Sequence, residues 1–581
     1  MSLNQEDPAG PLSVSNLTTH EDPTRAVWDV IIIGTGIGGA TLGHALAKDG
    51  QRVLFCERGW NNIARVGALT AAYPEQQAQD QGALLDTQSQ ALLANAGRYS
   101  DEVIDESDSR ARRFVPFVGS GSGGSSALYG MAFERFASAD FAPRSNHPNA
   151  VGSSLEDAWP IRFDALSAYY ASAETLYRVR GTADPLSGGT AQPRYLSPPP
   201  PLTPAAARLF DFFAAQGLHP YQLPLACEFV PGCQCCQGFL CGKNCKNDSG
   251  RICLAPAVRD FGAVLLDDCR VVRIDADRSR ATGVACQWRG RDITLRAKQI
   301  VLAAGALQTP NLLLRSHSAC WPNGLANSSG MVGRNLMRHC IDLYMVQPTQ
   351  AERNDGFDNR FKELAFNDFY CSNGVKLGSV QSFGRLPPAQ MLFGSLKQDV
   401  QDGPVPWLAG AVALTRPLLA PVLQRMVDRS ITLATIMEDL PYLDNRVLPA
   451  LGGAAGAVRI SYRLRDQDRA RIAQFRNLMR AALKPLGWRL IKQAENNQRI
   501  AHVCGTCRFG NDPKTSVLDQ NNRCHDLDNL YVVDSSFFPS SGGTNPSLTI
   551  AANALRVADQ LVRGSRSPSA PRSTNFRMSR L

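Results

Sequence analysis

Charge is scarce in this 581-residue chain. Only 19% of residues are Asp, Glu, Lys or Arg, and 61 basic against 52 acidic residues leave a net charge of +9. With 44% hydrophobic residues, that composition excludes a chain disordered throughout and supports a sizeable core. Much of the basic surplus lies in Arg563–Arg580, rich in Arg, Ser and Pro. That end and residues 1–25 are expected to be disordered tails, and nucleic acid is not an expected partner. Long hydrophobic runs are also missing. The most apolar stretch, Trp407 to Val422, contains Arg416, Pro417 and Pro421, too short and broken to span a bilayer, so no transmembrane segment is expected. It reads as core or a pocket wall, with a surface-lying amphipathic segment as the alternative. No basic-then-apolar leader opens the sequence, which makes a cytoplasmic location the default. Export to the periplasm with a partner subunit is the other route. No internal repeat is visible, and the length exceeds the usual single domain about three- to fourfold.

What is present begins at residue 28. Trp28–Gly34 is a short apolar, β-branched run ending in glycine, as a buried parallel strand should be. Gly34, Gly36, Gly38 and Gly39 follow in a G-x-G-x-G-G pattern, then an Ala- and Leu-rich helix to Lys48 and a second strand, Gln51 to Glu57. Gly34 permits the tight turn, Gly36 the approach of backbone to a pyrophosphate, and Gly39 close packing of helix on strand. The amides at the helix start face the phosphates. Glu57, eighteen residues past Gly39, stands where an acid accepts ribose hydroxyls. The unit therefore predicts dinucleotide binding, with NAD and FAD both open and NADP disfavoured by the acid.

Three further glycine-rich segments lie outside that unit. Gly119–Met131 includes Gly123, Gly124, Ser125 and Ser126, flanked by apolar residues, and reads either as a surface linker or as a buried loop that lets backbone approach a flat ligand. Gln299–Pro310 is a buried strand, a turn at Gly305 and a helix start, following an antiparallel meander over Arg270–Ala297. Asn529–Pro546 is a strand ending at Asp534, then a loop leading through Asn545 and Pro546 into an alanine-rich helix, Leu548–Leu561. In order and spacing these four segments, with the block from His502 onward, resemble the glucose–methanol–choline (GMC) family of FAD-dependent oxidoreductases, from about Val27 to Arg563. The resemblance implies FAD, held by a Rossmann-type α/β domain, and a substrate domain built on an antiparallel sheet that covers the flavin. It implies that Glu57 holds the adenosine ribose and that Asp534 lies near the pyrophosphate and ribityl chain. Tyr129 departs from the family, which commonly has asparagine there.

Histidine is the next scarce residue, with eight copies. Removing hydride from an alcohol carbon is easier as the hydroxyl proton leaves, so a base of near-neutral pKa is the natural agent. His20 lies in the polar leader and His44 in the first helix. His147, His219 and His317 sit in polar or proline-rich stretches that suit exposed loops. His339 follows a turn, Gly333–Arg338, and is a candidate for the flavin's surroundings. His502 opens the block already tied to the cofactor by Asp534. The resemblance points to the same residue: His502 matches the family's catalytic histidine and Asn545 its second site. His502 is expected to be the general base, and Asn545 to hydrogen-bond the substrate oxygen.

Cysteine is the exception to scarcity. Sixteen are present, and Cys227, Cys233, Cys235, Cys236, Cys241, Cys245 and Cys253 fall within 27 residues. A zinc site could use Cys233, Cys236, Cys241 and Cys245. Structural thiols or disulfides are a second reading, and an iron–sulfur cluster on Cys235, Cys236, Cys241 and Cys245 a third. Bacterial sugar dehydrogenases of the GMC family resemble this region, with a three-iron cluster that carries electrons from flavin to a partner.

The expected organisation is a discontinuous FAD domain (26–150, 226–340 and 500–565) and a substrate or cap domain (151–225 and 341–499). Pro198–Pro201 with Pro204 reads as a stiff connector. The expected activity is FAD-dependent oxidation of an alcohol or sugar CH–OH group, dehydrogenase favoured over oxidase, with an electron-acceptor protein or quinone as partner. A hydroxynitrile-type lyase on the same scaffold is the alternative.

Overall fold

The computed structural model describes residues 22–565 except 66, 77–86, 188–194, 355–356, 373, 390, 394–399, 401–404, 406, 453–455, 499 and 501. The tails expected at 1–25 and 566–581 thus lie outside the described residues, apart from 22–25. Val27–Ile33 is the central strand of a seven-stranded sheet. It pairs in parallel with Val53–Cys56 on one side and with Arg291–Leu302 on the other. Val264–Leu266 and Leu530–Val532 extend the parallel part. Val30, Ile31 and Ile32 are buried on both faces, as a helix-covered parallel sheet requires. The helices Ile37–Lys48 and Ser547–Ser565 pack against each other, and Phe163–Leu176 packs on the second. The meander consists of Cys269–Ala276, Ala281–Trp288 and Arg291–Leu302, joined antiparallel. Its last strand belongs to two patterns: Arg291–Leu295 pair antiparallel within the meander, and Arg296–Leu302 pair in parallel with Val27–Ile33.

A second sheet is wholly antiparallel, in the order Trp488–Ile491, Cys340–Val346, Ile431–Met437, Gly378–Ser382, Leu364–Phe366, Tyr221–Gln222. Its two faces follow the period of two along each strand. Cys340, Tyr344 and Val346, with Leu433 and Met437, pack under the helices Pro204–Ala215 and Asp466–Leu483 through Phe213, Phe475 and Met479. Ile341, Leu343, Ala434 and Ile436 face the opposite way and wall a cavity between the two sheets. The fold is thus the expected mixed α/β arrangement with an antiparallel sheet beside a Rossmann-type unit.

Three local expectations are corrected. Trp407–Val422 is not core: it spans the helices Leu408–Leu414 and Arg416–Asp428, with Trp407, Leu414 and Leu418 more than three-quarters exposed. The far end of the second helix does find apolar partners, Val427 packing in a cluster with Leu343 and Leu386. His147 is buried, its Nε2 2.9 Å from Glu438 Oε2, because the surrounding loop folds under the substrate sheet. Pro204 is not linker but the first residue of a helix whose N-cap, Thr203, accepts from the Ala206 amide.

Candidate active site

A cavity of about 580 Å³ lies between the sheets. Its floor is the turn after the first strand. Gly34 has φ +104°, and a Cβ there would lie 2.4 Å from the Ala303 carbonyl oxygen, so only glycine allows this turn. A Cβ on Gly36 or Gly305 would meet no atom within 4 Å: both face the cavity itself. Gly38, Gly124, Ser125, Ser126, Glu57, Asp534, Asn545, Pro546 and His502 line it too. Gly39 and Gly123 stand behind the wall, Gly39 against the Gly34 carbonyl and Gly123 against Asp248 and Gly250. Tyr129 also lines the cavity, and its hydroxyl donates to the Asn247 carbonyl at 2.7 Å, which closes the glycine-rich loop onto the cysteine segment.

The two carboxylates at this end are already occupied. Glu57 accepts from the Thr35 amide and hydroxyl (3.0 and 2.7 Å) and from the Gly59 and Gly121 amides (both 3.0 Å). A ribose hydroxyl would have to replace one of these four donors. The Thr35 hydroxyl, which has a second acceptor in the Gly121 carbonyl at 3.2 Å, is the one able to move. Asp534 accepts from the Ser536 amide (2.9 Å) and hydroxyl, the Gly305 amide (2.9 Å) and the Thr309 hydroxyl. Burial raises its pKa, and these donors oppose the rise. Each carboxylate therefore ties glycine turns together. The resulting cradle of bare backbone and helix-start amides, open towards the cavity at Gly36 and Gly305, fits a dinucleotide.

At the other end His502, at φ +54°, stands over the same cavity. Its Nδ1 lies 2.8 Å from Nδ1 of the buried His339. His339 Nε2 lies 3.0 Å from the carbonyl oxygens of Ser541 and Gly542, which only accept, so this nitrogen carries a hydrogen. Burial lowers the His339 pKa to about 4, hence the ring is neutral and its Nδ1 is an acceptor. His502 Nδ1 must then donate, which leaves its Nε2 as a lone pair. Burial, reinforced by the positive charge of Lys362, holds the His502 pKa well below its ordinary value. Among the described residues Asn545 Oδ1 is buried with no hydrogen-bond partner.

The loop carrying these carbonyls is clamped by the substrate-sheet half. Ser541 donates to Asp439, the Gly542 amide to Glu438, the Gly543 amide to Tyr370 and Thr544 to Glu134. Beneath it Lys376, fully buried, pairs with Asp140 and Glu438.

The cysteine segment forms a thiol cluster of different membership from the expected one. Cys245 Sγ lies 3.1 Å from Cys233 and 3.4 Å from Cys241, and Cys233 lies 3.9 Å from Cys227. Cys236 hydrogen-bonds with Cys241 and Cys245. Cys235 turns its thiol to the Lys362 amide instead. Ligands on a shared tetrahedral zinc would stand about 3.8 Å apart, given Zn–S near 2.3 Å, so the sulfurs of Cys227, Cys233 and Cys245 already lie close to such spacing. A second trio, Cys56, Cys269 and Cys286, meets behind the nucleotide end from three different strands. No sequence spacing announces it. His339 was visible only as a candidate in sequence, and Lys362 carried no signal at all.

Comparison with known proteins agrees with this geometry. Residues 225–341 and 452–554 match the N- and C-terminal family models described as GMC oxidoreductase. The chain is 31% identical to paromamine 6'-oxidase of Streptomyces fradiae, over 95% of this chain and 94% of that one. It is 25% identical to 2-methyl-1,2-propanediol dehydrogenase of Mycolicibacterium austroafricanum, over 94% and 96%. Pyridoxine 4-oxidase from Mesorbium loti has the same fold, with a TM-score of 0.61 at 21% identity over 92% of this chain and 99% of that one. With both family models matched and a relative 31% identical over nearly the full length of both chains, the chain belongs to the GMC oxidoreductase family.

Proposed function

We propose that the protein oxidises a CH–OH group of an alcohol or sugar, with FAD in the glycine cradle and His502 as the base. FAD, when bound, supplies the acceptor for the hydride. The single observation that carries the reading is the His339–His502 pair, which leaves Nε2 unprotonated on a histidine lining the cavity that the cradle opens onto. His502 Nε2 takes the hydroxyl proton as the carbon gives up hydride. The Asn545 amide binds the same oxygen and stabilises its growing negative charge. The loop Ser541–Thr544, tied down by Asp439, Glu438, Tyr370 and Glu134, keeps His339 in register. The names of the relatives, an oxidase of paromamine and a dehydrogenase of a propanediol, support an alcohol carbon as the site of attack. Anaerobic addition of an alcohol panel to the holoprotein tests this: bleaching of the flavin absorption supports it, and no bleaching by any member rejects it.

For reoxidation we favour a dehydrogenase that passes electrons to a protein or quinone. This rests on the five clustered thiols Cys227, Cys233, Cys236, Cys241 and Cys245 as a redox-metal site. Iron and acid-labile sulfide in anaerobically purified protein would support it. Flavin without iron would make the thiols structural and leave dioxygen as the acceptor.

A further inference from the structure

Three lysines are buried among the described residues, and two of them meet oxygen partners. Lys246 donates to the Ala127 and Phe239 carbonyls, at 2.7 and 2.9 Å. Lys376 sits between Asp140 and Glu438. Lys362 is the third, only 6% exposed. It lines the same cavity as His502 and Asn545. Its ammonium lies 5.4 Å from the centre of the Phe383 ring, and no carboxylate pairs with it among the described residues. A Cβ built on Gly130 would lie 2.4 Å from Lys362 Nζ and 2.7 Å from Gln237 Oε1, so a bare glycine holds open the space beside both groups. Gln237 Oε1 is buried and has no hydrogen-bond partner among the described residues. Burying an ammonium without a carboxylate partner costs free energy, and desolvation, opposed only by the nearby Cys235 thiol, lowers this one to a pKa of about 8. Such a group is stable in place when an anion meets it.

Among the described residues no carboxylate of the cavity lining is free to serve as that anion. The only carboxylates among the lining residues are Glu57 and Asp534, and each is held by four internal donors. The remaining polar lining residues near the substrate sheet are amides and cations: Gln381, Gln493, Gln498 and Arg338. Arg338, its guanidinium 4.6 Å from the centre of the Tyr462 ring, keeps Nε and Nη1 buried without a hydrogen-bond partner among the described residues.

We propose that Lys362 is the anchor of an anion subsite, and that the substrate class is an alcohol bearing a carboxylate, such as a hydroxy acid or sugar acid. The assignment rests on the alcohol-oxidation reading and narrows it. Polycationic substrates are disfavoured by the same charge. An ammonium-to-carboxylate hydrogen bond in a desolvated site corresponds to about ten- to hundredfold in affinity.

The test uses anaerobic holoenzyme and matched pairs: glycolate against ethylene glycol, and gluconate against sorbitol. Two signals are read, the shift of the flavin absorption band on ligand binding and the rate of its bleaching. The carboxylate member of each pair should bind about ten- to hundredfold more tightly in the natural protein. In Lys362→Met that ratio should collapse towards one, and Lys362→Arg should restore most of it. Equal binding of both members by the natural protein overturns the proposal, whether or not the variants fold. So does a Lys362→Met variant that keeps the ratio but slows bleaching by both members equally, because the lysine would then act on the cofactor or on His502. Failure of the oxidation reading looks different: carboxylates shift the absorption band, yet no alcohol bleaches it.

Discussion

The two ends of the cavity treat polar groups in opposite ways. At the nucleotide end each carboxylate is closed by four donors, most of them supplied by the same glycine turns that it organises. At the substrate end Lys362, Gln237 Oε1 and Asn545 Oδ1 are buried and left open. A buried polar group without a partner is costly, and native chains keep few of them. The nucleotide end is therefore built to exist before its ligand arrives, and the substrate end is completed by its ligand.

The largest effect should come from removing the histidine proposed as the base. His502→Ala should slow anaerobic flavin reduction by about two to four orders of magnitude, the usual worth of a positioned base. Near-normal reduction would break the comparison at its centre.

Next is the closed knot under the substrate loop. Lys376→Met leaves Asp140 and Glu438 buried without their cation and should destabilise the protein by about 3–5 kcal/mol. Denaturant unfolding reads this directly, and an unchanged midpoint would mean that the knot adds nothing to folding.

A smaller loss is expected one hydrogen bond away from the base. His339→Leu removes the acceptor for His502 Nδ1–H and should cut reduction about ten- to hundredfold, one hydrogen bond's worth. His339→Gln, whose amide both accepts and donates, should recover most of it. Equal losses in the two variants would reduce His339 to a packing residue.

The pair also predicts a pH dependence. The folded pKa of His339 is lowered to about 4, below its ordinary value of 6.5. Between those values the unfolded chain binds more protons, so stability is fully present above about pH 6.5 and falls as the pH drops towards 4. Unfolding midpoints measured from pH 7 to 4 should decline, with a weaker decline in His339→Gln.

The smallest effect belongs to the exposed helices. Leu414→Ser and Leu418→Ser should change stability by less than about 0.5 kcal/mol, because both side chains already face solvent. A larger loss would reveal packing for this face.

The halves also differ in how far sequence discloses them. Gly34 to Glu57 is one continuous strand, turn, helix and strand, so its spacing alone exposes its geometry. The antiparallel sheet gathers strands from Tyr221 to Ile491, and apart from Leu364–Phe366 and Gly378–Ser382 its neighbours lie far apart in sequence. His339 and His502 meet across 163 residues, Lys376 and Asp140 across more than two hundred, and Cys56 joins Cys269 and Cys286 only through tertiary folding. Lys362 looks like any surface lysine until the cavity is drawn around it. Trp407–Val422 misleads for the reverse reason: apolar composition says what a segment would bury, and only the fold says whether anything is there to bury it.

The strand shared by meander and parallel sheet carries one more consequence. Arg291–Leu302 spans about 40 Å at 3.3 Å per residue, running from a tight hairpin to the edge of the cradle at Ala303. The hairpin's turn residues, Arg289 and Gly290, both have positive φ, at 48° and 76°, as a mirror-image two-residue turn demands. An inserted residue at that tip would be absorbed by the loop. The same insertion a few residues later would slide the rod by one position, exchange its inward and outward side chains, and displace Gly305 from the cavity wall. Relatives of this protein should therefore vary in length at the hairpin tip and hold the rod itself to a fixed count.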